Sequence, residues 1–115
     1  MKRNSVLSLV SIAKKAGKIA AGEFQTENAV KSGKAGLVIV SSEASENTKK
    51  KFRNMCTFYE VPVFFYGTKT ELGAAIGCEF RASLAVTDPG LAQSIKKKLE
   101  NVEDGGCLNG ENQGS

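Results

Sequence analysis

Gly36-Leu37-Val38-Ile39-Val40-Ser41-Ser42 decides the fold. Residues 37–40 are apolar at every position, so a strand here buries both faces. That requires helices above and below the sheet. Upstream, Gly22 opens a helix that turns Ala29 and Val30 inward and stops at Gly33. Residues 18–21 are too short for a helix and read as a strand. Before them, Val6, Leu9, Val10 and Ala13 recur at helical spacing, which predicts a helix over 4–16 closed by Gly17. Downstream, 41–45 is a loop. The next helix carries Phe52, Met55, Cys56 and Tyr59 on its core stripe and breaks at Val61-Pro62. Residues 63–66 form a strand. Thr68 with Glu71 is a capping box for a helix that packs Leu72, Ala75 and Ile76 and ends at Gly77. A strand over 83–87 follows. Asp88-Pro89 then supplies a capping carboxylate and a proline at the first helical position, and Leu91, Ile95 and Leu99 are the last core stripe. Helices and strands alternate throughout. The predicted class is α/β: a three-layer α/β/α sandwich around a central mixed sheet of about four strands.

The 115 residues suffice for one ordinary domain, and 41% apolar content supports a core. Residues 1–101 read as the domain. Residues 102–115, rich in Gly, Asn and acids, read as a disordered acidic tail. No apolar run approaches the roughly 20 residues of a bilayer span. Ser5, Ser8 and Ser11 interrupt the apolar residues after Met1-Lys2-Arg3, so no secretory signal is expected and the cytoplasm is the expected compartment.

Formal charge is +4, but it is uneven. The last fourteen residues carry Glu103, Asp104 and Glu111 with no Lys or Arg, leaving sixteen basic against nine acidic side chains before them. A compact domain at +7 attracts polyanions, nucleic acid first. There is no histidine, and Cys56, Cys78 and Cys107 stand far apart without a CxxC pair. No metal, no cofactor and no enzymatic activity are expected, because the commonest general base and the usual zinc ligand sets are missing. Glu43 and Glu46 read as residues favouring a helix dipole rather than an acid/base pair. Lys14, Lys15 and Lys96–Lys98 suit helix C-termini. Lys49, Lys50, Lys51 and Arg53 do not, so phosphate contact and plain solubilisation stand level for them.

The stretch 17–31 carries the chemistry. A helix that opens at Gly22 leaves free N–H groups and a positive dipole end toward solvent. Gln25 and Asn28 lie three apart on one face, and their amides offer donors and acceptors to base edges. Phe24, at the helix start, either stacks on a base or covers the sheet edge.

Several pieces in order resemble the kink-turn-binding ribosomal protein superfamily, of the large-subunit "seven Ae" and "thirty e" type, in the form of a short bacterial paralogue. They are 16–19 with Gly22, 32–40, 45–51, 61–63, Leu72-Gly73 with Ile76-Gly77, and Arg81 with 84–90. The resemblance spans about 4–100. It implies a non-catalytic, ribosomal-type RNA-binding protein that reads structured, kink-turn-like RNA by shape. The partner is then ribosomal RNA or another kink-turn RNA, with the ribosome as an expected location. The second helix would enter the groove beside sheared G·A pairs. At its start archaeal members carry Asn-Glu and then Lys, where this chain has Phe24, Gln25 and Asn28; Gln25-Thr26 matches the "thirty e" run. The loop before the last strand, with Phe80, Arg81 and Ala82, would pack on extruded bulge nucleotides. The expected RNA-binding set is Lys18, Gly22, Glu23, Phe24, Gln25, Asn28, Lys31, Phe80, Arg81 and Ala82. Ser45, where some relatives place an acid that bonds a flipped base, reads better as a helix cap. The alternative is a protein-binding adaptor of the same fold that has lost kink-turn affinity through Phe24 and Asn28.

Overall fold

The computed structural model describes residues 5–106, with side chains described over 6–100. Nine elements alternate within that span. They are α1 (Ser5–Lys15), β1 (Ile19–Ala21), α2 (Glu23–Lys31), β2 (Leu37–Val40), α3 (Glu46–Tyr59), β3 (Val63–Phe65), α4 (Lys69–Ala75), β4 (Ser83–Val86) and α5 (Pro89–Gly106). The strands form one mixed sheet in the order β1-β4-β2-β3. β4 runs antiparallel to both β1 and β2, whereas β2 and β3 are parallel and joined by α3. The expected sandwich is therefore present.

β2 is buried at all four positions and alternates between two cores. Leu37 and Ile39 meet α1, α4 and α5 through Val10, Leu72 and Ile95. Val38 and Val40 meet α2 and α3 through Val30, Phe52 and Cys56. Each such side chain removed from water stabilises the fold by about 1.5–3 kcal/mol. Tyr59 does not join the stripe expected of it. It is 40% exposed and stands edge-to-face on Phe58, because Phe52 and Cys56 already fill the space under α3.

The helix starts are set as their sequences imply. Ser45 Oγ accepts from the Thr48 N–H, so Ser45 caps α3. Thr68 and Glu71 form the capping box of α4. Asp88 accepts from the Leu91 N–H. Glu43 serves a neighbour: its carboxylate accepts from the Lys69 N–H at 2.9 Å and caps α4 across the loops. α5 continues to Gly106, past the boundary expected after 101. Val102 stands three residues beyond Leu99 and keeps the apolar spacing going. The rest of the expected tail, 107–115, lies outside the described residues.

Candidate nucleic-acid interface

The β1–β4 register places the site. β1 leads directly into Gly22, and Ala21 pairs with Leu84, so the start of β4 lies beside the start of α2. The Gly22 N–H donates to the Ser83 carbonyl at 3.0 Å. Gly22 has φ 92° and ψ 160°, a conformation open to glycine and strained for other residues. A Cβ there would stand 4.0 Å from Arg81 Nε. The α2 onset and the loop before β4 thus form one corner of the molecule. Among the described residues no side chain caps α2, so its first N–H groups are open to an incoming acceptor.

Gly73 fixes the other half of the corner. It is buried in α4, and a Cβ there would lie 2.6 Å from the Glu79 carbonyl oxygen, so the 79–80 backbone sits directly on the helix. Arg81 then donates its backbone N–H to Lys69 and one guanidinium N–H to the Phe80 carbonyl. Its Nε is buried without a hydrogen-bond partner among the described residues. Phe24 is 70% exposed and Phe80 59%, so Phe24 does not cover the sheet edge.

One face of α2 borders a groove of about 550 Å³ over the β1 edge. Gln25, Asn28, Lys31, Ser32, Lys34 and Thr87 line it around Ala20 and Ala29. Thr26, next to Gln25, points the other way; it is fully buried and its hydroxyl bonds the Ala20 carbonyl. The opposite flank of α2 is tied to α3. Lys51 Nζ bridges Glu23 at 2.9 Å and Glu27 at 3.0 Å, and Lys31 reaches Glu27 at 2.8 Å. Hydrogen bonds from Lys31 and then Lys51 hold the Glu27 carboxyl below its ordinary value. The same contacts raise Lys31, through Glu27, and Lys51, through Glu23 and then Glu27.

The expected set therefore divides. Gly22 and Arg81 approach each other at the corner, with exposed Phe24 and Phe80 next in chain to them, and Gln25 and Asn28 line the groove. Glu23 and Lys31 are engaged in the ion-pair network. Ala82 packs into the second core, and its carbonyl accepts from the Ser41 N–H. Lys18 stands at the other end of β1, where its carbonyl accepts from Thr87. Of the basic run on α3, Lys51 pairs with α2, Lys49 lies 3.8 Å from Glu46, and Arg53 rests over the Phe65 ring. The sequence reading missed the Lys51 bridge and the place of Lys34 in the groove. Both depend on chain reversals that local patterns do not encode. Among the described residues no cluster of His, Cys, Asp or Glu could hold a metal ion. No described helix is long and apolar enough to cross a membrane.

A basic α/β/α sandwich with an uncapped helix start beside an arginine loop is an architecture suited to an anionic partner. The family follows from comparison: residues 4–96 match the model of the ribosomal protein L7Ae/L30e/S12e/Gadd45 family, and the chain belongs to it. It is 36% identical over 98 residues to RNA-binding protein YlxQ of Enterococcus faecium, covering 85% of this chain and 94% of that one. It is 35% identical over 92 residues to RNA-binding protein YlxQ of Bacillus subtilis (strain 168), covering 80% and 92%. Among solved structures, a Bacillus halodurans protein of unknown function superposes with TM-score 0.83 at 36% identity, covering 85% and 99%. The Giardia lamblia 15.5kD RNA binding protein superposes with TM-score 0.72 at 25% identity, covering 84% and 85%.

Proposed function

We propose that the chain recognises kink-turn-like RNA by shape and does no chemistry on it. The observation that carries this reading is the uncapped α2 onset at Gly22, open beside Arg81 and flanked by exposed Phe24 and Phe80. Free helix N–H groups and the Gln25 and Asn28 amides meet base edges and backbone oxygens. The two phenylalanines stack on extruded bases, which only a bent, bulged RNA presents. A preformed protein corner then selects the kinked conformer from a flexible RNA and shifts its population. The surrounding lysines add an attraction that weakens as salt rises. Such a role fits the ribosome or another ribonucleoprotein in the cytoplasm.

The test is a titration of a kink-turn hairpin and a straight duplex of equal length at two salt concentrations. The hairpin is expected to bind more tightly at both. Equal affinities would leave only generic polyanion binding and would sink the proposal. The same exposed phenylalanines favour a second reading, a protein-binding adaptor of this fold. It gains if Phe24→Ala and Phe80→Ala leave RNA affinity unchanged.

A further inference from the structure

The corner at Gly22 uses only the near end of the groove beside α2. The far end is shaped by the chain reversal after the helix. Gly33, at φ 80°, turns the backbone, and the Lys34 and Ala35 N–H groups both donate to the Ala29 carbonyl. That fold-back brings Lys34 in beside Ser32, opposite Thr87. The Thr87 N–H donates to the Lys18 carbonyl, so the loop carrying Lys18 adjoins the same end. Among the described residues no carboxylate lines the groove. Of its two lysines, Lys31 is engaged by Glu27, whereas Lys34 is exposed and has no ion pair among the described residues. α2 rises about 1.5 Å per residue, which puts this end roughly 10 Å along the helix from Gln25.

Granted the RNA binding proposed above, we infer that Lys34 holds a backbone phosphate of the strand lying along this groove. An ammonium group offers three donors and no acceptor, which suits a phosphate oxygen rather than a base edge. The Thr87 hydroxyl adds a neutral donor beside it, while the Ser32 hydroxyl donates to the Ala29 carbonyl. Lys34 therefore sets grip and register along the strand, while the Gly22 corner sets selectivity for the bend.

The test measures affinity for the kink-turn hairpin across a salt series, for the wild type and for Lys34→Ala, Lys34→Arg and Lys97→Ala. Lys97 is exposed on α5, in the opposite helical layer, and controls for net charge. Lys34→Ala is expected to weaken binding about three- to tenfold at low salt. It should also make the slope of log K against log salt shallower by about 0.7–0.9, one phosphate's worth. Lys34→Arg and Lys97→Ala should stay near wild type. If Lys34→Ala behaves as Lys97→Ala does, the inference is overturned. A scan of single neutral methylphosphonate linkages through the RNA gives a second readout. One linkage should weaken the wild type and leave Lys34→Ala unaffected; if every linkage acts equally on both proteins, Lys34 holds no phosphate. The shape reading is judged separately, by the hairpin-to-duplex affinity ratio of the wild type. A ratio of one together with a Lys34-dependent slope removes the shape reading and leaves the phosphate contact standing.

Discussion

Gly22 and Gly73 are the residues on which the proposed interface depends, for different reasons. At Gly22 there is room for a Cβ, but the backbone conformation opposes one. Gly22→Ala should cost about 1–3 kcal/mol of stability, and thermal melts would reveal it. At Gly73 the conformation is helical, but the Glu79 backbone occupies the space. A backbone cannot swing aside as a side-chain tip can. Gly73→Ala should therefore also cost about 1–3 kcal/mol and displace the loop carrying Phe80 and Arg81, so RNA affinity falls with stability. A Gly73→Ala variant that melts and binds as the wild type would show that the close approach is unimportant. Gln25 is exposed and, among the described residues, no hydrogen bond or ion pair holds its side chain, so its truncation spares the fold. Gln25→Ala should cost the kink-turn hairpin about 0.5–1.5 kcal/mol of binding and leave the straight duplex unchanged. Loss on both RNAs alike would mean that Gln25 reads no feature of the bend.

The elements add predictions of their own. α3 is closed by Glu60, the residue after its last turn, which holds φ 59°, the left-handed conformation that glycine adopts more readily. Glu60→Gly should raise stability by up to about 1 kcal/mol in denaturant titrations, since relief of the strain exceeds the added freedom of the unfolded chain. α2 is held to α3 by Lys51 and the two carboxylates. Glu27 titrates lower in the folded protein than its ordinary 4.5. Its contribution is therefore complete above that value and disappears as pH falls through the lowered folded one. Lys31 and Lys51 titrate above their ordinary 10.5, so their contribution holds below that value and disappears as pH rises through the raised ones. Melting curves taken downward from about pH 6 should show a loss near and below the ordinary Glu range that is smaller in Lys51→Ala. An identical acid response in both proteins would rule out the tie between the helices. Salt should weaken the same tie, because Lys51 and Glu23 are exposed and Glu27 is only partly covered.

At the scale of the whole molecule, two cores share one sheet, and Cys56 lies wholly buried in the one under α2 and α3. Burial pushes its thiol up to about 11, so almost no thiolate exists at neutral pH. In a Cys78→Ser/Cys107→Ser background, Cys56 should resist alkylation in the native state and react only when that layer opens. Its labelling rate would then report unfolding of the layer that carries the candidate interface. Prompt labelling without denaturant would mean that α3 detaches readily from the sheet.

The amino-acid sequence determined the elements and the layers. The uninterrupted run at 37–40 required cover on both faces, and the caps at Ser45, Thr68 and Asp88 needed only residues within one helical turn, so their physics is local. It also placed the start of a helix at Gly22, with Gln25 and Asn28 following on it. It did not reveal that Glu43 caps α4, that Tyr59 stays outside the core, or that Lys51 joins Glu23 and Glu27. Nor did it separate Arg81, which approaches Gly22, from Ala82, which packs inward. Those outcomes were decided by the tertiary structure alone. Antiparallel pairing of β1 with β4 brings residue 22 beside residue 83 across some sixty positions of chain. Such a meeting depends on strand order and register, which no short-range periodicity specifies.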